Sequence, residues 1–196
     1  MSVYATPVTS GLQLWLDASD ATIITAGGTV LVSHWRDKSI NARHANIAVA
    51  GTQPYTGIYS QNDLNVLEFS ADYMIVSGLA FSTTEFFAVY RTTYSYYRTT
   101  GCVLCRESAT YAQTYITTTS TTFLQAPTPT EAIRDGVALS GPIYSSVPVE
   151  DFHVLMIHPS DDTTNRLYEI NYRDGARDYY LIAEILAYNG NLSSIE

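Results

Sequence analysis

Short runs of alternating apolar and polar residues recur along the whole chain, separated by Gly, Pro, Asn, Asp and Ser. Leu12, Leu14 and Leu16 alternate with Gln13 and Trp15, and comparable runs follow at 30–35, 65–69, 73–76, 86–91, 102–106, 114–118, 121–125, 131–139, 152–158, 166–172 and 180–188. A two-residue period places one side-chain set on each face of a strand, and about a dozen such runs with turn residues between them is the pattern of a sandwich or barrel. No segment holds a 3.6-residue period over several turns, so no helix is expected in the body of the chain. The run at 131–139 is interrupted by Asp135-Gly136, a tight-hairpin signal because Gly accepts positive φ and Asp tolerates it. The runs at 152–158 and 181–188 are nearly continuously apolar, as for central strands covered on both faces, with Glu184 the one charge in the second. Composition agrees: 16 tyrosines and abundant Thr suit a pleated, half-buried surface.

The chain has 196 residues, which fits a single domain over residues 1–196 with a core of its own. Its 19 acidic against 10 basic side chains give a formal charge of -9. That balance excludes nucleic acid as the expected partner, since phosphate binding runs on Lys and Arg, and disfavours an anionic membrane surface equally. Residues 1–11 carry neither a basic segment nor an apolar one, so no export signal is expected. The longest uncharged stretch, 108–130, is too rich in Thr, Ser, Gln and Pro to span a membrane. The expectation is a soluble protein made in the cytoplasm, with the qualification that a particle released by lysis needs no export signal.

Two segments carry a resemblance. Gly11-Leu-Gln-Leu-Trp-Leu-Asp-Ala-Ser-Asp20 is followed by Val32-Ser-His-Trp-Arg-Asp-Lys-Ser39, Ala42-Arg-His-Ala45, Gln53-Pro54 and Val66-Leu-Glu-Phe69. This order resembles the opening of the laminin-G-like, concanavalin A-like lectin/glucanase domains found in phage virion proteins and bacterial surface proteins. Leu181-Ile-Ala-Glu-Ile-Leu-Ala-Tyr-Asn-Gly-Asn-Leu-Ser193 resembles their closing strand. The resemblance implies an all-β, two-sheet antiparallel jelly-roll sandwich. It leaves function open, because the fold hosts lectins, hydrolases and purely structural modules. Such domains usually add a short C-terminal helix; here Ser193 and Glu196 form a capping box just where that helix would begin, and the helix itself is expected to be lacking. Within the motifs, Trp15 and Trp35 read as core anchors, and Asp17, Asp20, Asp37 and Ser39 as turn caps that hold backbone N–H groups.

Catalysis finds little support in the spacing. Glucanases of this fold carry acidic residues at alternating positions of one strand, and no two acidic residues stand at i and i+2 here. A pair assembled from different strands stays open. Cys102-Val-Leu-Cys105 has no second ligand pair and lies in a strand pattern, so buried free thiols are expected rather than zinc or redox chemistry. His34, His44, His153 and His158 show no metal-ligand spacing. A calcium site is possible at Asp161, Asp162 and Asn165, whose loop offers hard oxygen ligands, and a plain polar turn explains the same residues. For binding, Tyr94, Tyr96, Tyr97 and Arg98 form an aromatic loop between strand patterns, with Arg177 and Tyr179 in a second cluster. Tyr and Arg supply rigid contact area with polar tips, suited equally to a glycan or to a neighbouring subunit.

The expected function is therefore a non-enzymatic structural or adhesion module of a phage virion, in the tail, a fibre or a capsid decoration. Its expected partners are other virion proteins, with a homo-oligomer or multi-copy assembly, and a host surface glycan as a possible ligand. The alternatives are a carbohydrate-binding, lectin-like module of a bacterial surface protein and, third, a glycoside hydrolase.

Overall fold

The structure, a computed structural model, describes residues 7–20, 22, 24–26, 30–47, 51–70, 72–79, 84–92, 104–106, 113–114, 131–138, 151–158, 166–170 and 179–189. Among them every regular element is a β-strand, and every strand pairing is antiparallel. One sheet contains β1 (Leu12–Asp17), β5 (Tyr55–Gln61), β6 (Leu64–Ser70), β8 (Thr84–Thr92), β11 (Glu131–Arg134), β12 (Val137–Ala138), β13 (His153–His158) and β15 (Tyr179–Asn189). Its order is β12-β11-β13-β8-β15-β6-β5, with β1 also on β15. The other contains β2 (Ile24–Ala26), β3 (Val32–Trp35), β4 (Ala45–Asn46), β7 (Met74–Leu79), β9 (Leu104–Arg106), β10 (Gln113–Thr114) and β14 (Arg166–Ile170), in the order β10-β9-β14-β7-β4-β3-β2.

The alternation seen in sequence is the alternation of burial. Leu12, Leu14 and Leu16 are buried while Gln13, Trp15 and Asp17 face outward. One cluster of buried side chains draws Leu14, Leu16, Phe69 and Ile185 from the first sheet and Trp35, Met74, Val76 and Ile170 from the second. The two antiparallel sheets thus share a core, in a sandwich-like arrangement. Trp35 is fully enclosed there. An aromatic side chain buries 150–250 Å², which at roughly 25 cal/mol per Å² is about 4–6 kcal/mol of gross stabilisation.

Three expectations need correction. Trp15 is no core anchor: it lies half-buried on the outer face of β1, because Leu14 and Leu16 take the inner face. β13 is central, between β11 and β8, but it is not covered on both faces: Leu155 is fully buried and Val154 is 49% exposed. Strands β2, β4 and β5 lie outside the alternating runs of the sequence. In contrast, Asp135 and Gly136 make the expected hairpin turn between β11 and β12, with φ of 52° and 78°. Only part of the 114–118 run is described, in β10, and the 121–125 run and the capping box at 193–196 lie outside the described residues.

β15 organises the first sheet. Along one side it pairs with β8 from Tyr180 to Asn189. Its other side is shared: Tyr179 to Ile182 pair with β6, and Glu184 to Tyr188 pair with β1. A bulge between Ile182 and Glu184 interrupts the β8 pairing. The extra residue lets Ile182 and Ile185 both face the core, while Ala183 and Glu184 both stay half-buried on the outer face. Gly11 closes the far end of β1, where φ is +76° and a Cβ would meet the Asn189 carbonyl oxygen at 2.8 Å, so only glycine fits.

Candidate functional site

The motif around Asp37 builds one flank of the site. The open edge of β1 is covered by the segment 37–43. Asp37, 7% exposed, accepts four hydrogen bonds: from the Trp15 and Ser39 amides at Oδ1, both 2.8 Å, and from the Ser39 hydroxyl (2.6 Å) and the Arg43 amide (2.9 Å) at Oδ2. The Lys38 amide donates to the Trp15 carbonyl at 2.8 Å, and the Asn41 and Arg43 side chains donate to the Leu12 and Gln13 carbonyls, each at 3.0 Å. These bonds satisfy main-chain groups that an unpaired sheet edge would leave open.

The same docking swings Lys38 over the outer face of β1. Its ammonium sits 4.3 Å from the Trp15 ring centroid, 2.9 Å from Asp17 Oδ2 and 3.2 Å from Asp20 Oδ2. Asp17 Oδ1 caps the following turn, accepting from the Ser19 amide and hydroxyl, and Asp20 Oδ1 does the same for Thr22. Both aspartates are therefore turn caps, as expected, and lysine counter-ions as well. On β15, Glu184 stands directly across from Asp17 in register and accepts the Trp15 indole N–H at Oε1, 2.8 Å.

β1 and β6 both run along β15 and part at Ala183, and their divergence opens a groove. The Ala18 amide donates to the Ala183 carbonyl at 2.8 Å, and Asn65 clamps the opening by donating to the Ala18 carbonyl (2.7 Å) and the Thr56 hydroxyl (2.9 Å). The groove has a volume of about 630 Å³, and its lining includes Trp15, Asp17, Asp20, Lys38 and Glu184 together with Gln61 and Asn62. That size lies within the roughly 300–1,000 Å³ of small-ligand sites.

The electrostatics follow from the geometry. Burial pushes the Glu184 carboxyl above the ordinary range; the Trp15 N–H pulls it back, the nearby Asp17 charge raises it and Lys38 lowers it. Burial works against the Lys38 charge, but Asp17 and then Asp20 outweigh it and hold the ammonium pKa above its usual value. The Thr22 hydroxyl and amide are the main reason that Asp20 is held below the ordinary range.

Glu184 gives a pH prediction. Its folded pKa is raised, so the folded state holds this proton more tightly than the unfolded chain does. The stability that this confers is complete below the ordinary value of 4.5 and is lost as pH rises through the raised folded value. Glu184→Gln keeps an oxygen for the Trp15 N–H and has no charge to desolvate. The variant is expected to gain stability relative to wild type as pH climbs above 4.5. Urea melts of both proteins at several pH values check this; a difference independent of pH would contradict it.

The structure brings together residues that sequence spacing did not. Asp17 and Glu184 are a cross-strand carboxylate pair of the kind left open above, and register alone reveals it. Asp17 has both oxygens engaged, by Ser19 and Lys38, and Glu184 has one engaged by Trp15. Tyr179 begins β15 opposite Ser70 and does not line the groove. Tyr94, Tyr96, Tyr97, Arg98, Arg177 and the calcium candidates Asp161, Asp162 and Asn165 lie outside the described residues, as does Cys102; Cys105 lies in β9. Among the described residues no group of three or more His, Cys, Asp or Glu side chains is placed to hold a metal ion. Compared with known proteins, the chain matches no family model, no curated protein and no solved structure.

Proposed function

We propose that the chain is a non-enzymatic module of a phage virion, a single concanavalin A-like jelly roll that binds a host-surface carbohydrate in the groove between β1 and β6. The phage setting rests on the motif resemblance. The groove carries the binding part of the reading. Its lining is an indole edge, a carboxylate with one oxygen uncommitted by the Trp15 bond, and the side-chain amides of Gln61 and Asn62. Polar groups set on an apolar wall suit a ligand with hydroxyls along one edge and C–H groups on its faces.

Binding fits this groove better than hydrolysis. Hydrolysis of a glycosidic bond requires a free nucleophile or base opposite the acid. The partner of Glu184 is Asp17, whose oxygens are committed to Lys38 and to the Ser19 cap. Three carboxylates against one ammonium also set a preference: neutral or amino sugars are favoured and sialylated or uronic glycans disfavoured.

A glycan array probed with the folded protein in multivalent display tests the proposal. Selective binding to neutral or amino glycans is expected. A blank array, or binding confined to acidic glycans, would overturn the groove reading. A parallel array in chelator reads the calcium expectation at Asp161, Asp162 and Asn165 separately.

A further inference from the structure

We infer that the outer edge of β5 is a self-association surface, on which a second copy of this chain adds its own β5 in antiparallel register. The sheet treats its edges unequally. The outer edge of β1 is hydrogen-bonded by the segment 37–43, and β12, at the far end, is only two residues long. β5 ends the sheet at the other side with seven residues, and none of them is charged or proline. Its start is covered where the Thr56 amide donates to the Val30 carbonyl at 2.7 Å. Beyond that point no described strand pairs its outer side, and residues 57–60 are all exposed, with Ile58 at 50% and Tyr59 at 42%. An uncharged edge of this kind, with Ile58 and Tyr59 exposed along it, is a template for strand addition.

Hairpin geometry fixes which groups face out. Asn62 and Asp63 form a two-residue turn at φ of 51° and 63°, with Gln61 opposite Leu64, Ser60 opposite Asn65 and Tyr59 opposite Val66. In such a hairpin the pair flanking the turn exchanges hydrogen bonds, and the pattern then alternates. Gln61 and Tyr59 therefore bond inward to β6, and Ser60 and Ile58 present their N–H and C=O groups outward. An edge of this form is complementary to itself. A two-fold axis through Tyr59 pairs Ile58 with Ser60 of the second copy and Ser60 with its Ile58, and sets the two Tyr59 residues side by side.

Charge names the occupant. The chain carries -9, so two copies repel over most of their surfaces, yet no acidic or basic side chain occurs from residue 45 to residue 62. That window contains the whole of β5, so a second copy that pairs along this strand meets no like charge on the strand itself. The antiparallel axis stands perpendicular to the sheet, so both copies present the same face to the same side. If the groove reading holds, the grooves, each lined by Gln61 and Asn62 at the end of β5, would open together as a bivalent surface.

Sedimentation velocity of the purified protein over a concentration series tests the association without any glycan, so its failure and that of the groove reading are distinguishable. A monomer–dimer equilibrium that tightens with added salt is expected. Ser60→Pro removes an outward N–H, and Ile58→Lys places a charge on the edge through an exposed side chain. Each is expected to weaken dimerisation by roughly tenfold or more. Should the proline variant fail to fold, Ile58→Lys carries the test alone. A wild-type protein that stays monomeric throughout, or a dimer that a folded edge variant leaves unchanged, would overturn the inference.

Discussion

Replacing Asp37 with alanine is expected to lower the unfolding free energy by about 4 kcal/mol, because a buried carboxylate that gathers four donors is removed at once. Three of those donors are main-chain amides, of Trp15, Ser39 and Arg43, and alanine offers them nothing in return. The side chain is 7% exposed, so water replaces it poorly. A loss of that size is a large share of the roughly 5–15 kcal/mol that holds a typical domain folded. Asn is the informative control. It keeps an oxygen at the Oδ1 position for the Trp15 and Ser39 amides and turns an NH2 toward the Arg43 amide. About half of the alanine effect, near 2 kcal/mol, is expected for Asp37→Asn. Denaturant melts measure both; an alanine effect below about 1 kcal/mol would show that Asp37 does not pin the segment 37–43 to β1.

Replacing Trp15 with alanine is expected to weaken groove binding by roughly 50- to 100-fold, the scale of an interface anchor worth 2–3 kcal/mol. The indole does three things in the groove: it forms the wall, it orients Glu184 through its N–H, and it lies under the Lys38 ammonium. Trp15→Phe separates these roles in part, since it keeps an aromatic surface for Lys38 and loses the N–H together with some of the wall. A loss of about tenfold is expected for that change. Because Trp15 belongs to the outer face, both variants should stay folded, as near-ultraviolet circular dichroism of the enclosed Trp35 would show. Full affinity in a folded Trp15→Ala protein would place the ligand elsewhere.

Much of the fold was legible because burial on one face writes itself as alternation. The leucines of β1 and the Asp135-Gly136 turn are direct cases. Trp15 departs from the core-anchor expectation for a chemical reason: a large aromatic side chain suggests the interior, whereas the period of β1 assigns it to the same face as Gln13 and Asp17. β5 carries no alternating run because an edge strand exposed on several sides has no reason to alternate, and Gly57, at φ +74°, interrupts its regular geometry. The bulge at Ala183 left no period in the apolar run of β15, so nothing local showed that Glu184 faces outward. The carboxylate pair of Asp17 and Glu184 depends on strand register across 167 positions, which no spacing rule reaches. What the sequence did offer was chemistry: the lone lysine, three carboxylates and a tryptophan lay within motifs already singled out, and folding placed them around one groove.

The most direct test of the carbohydrate groove uses the fact that the chain has two tryptophans, and thus two indole N–H resonances. Titration of the nitrogen-15-labelled protein with a pool of neutral and amino oligosaccharides, to the ~10 mM needed for millimolar affinities, reads both at once. The account predicts a saturable shift of the Trp15 indole, at the groove, with the Trp35 indole in the core unmoved. No shift of the Trp15 indole in the folded protein would contradict it.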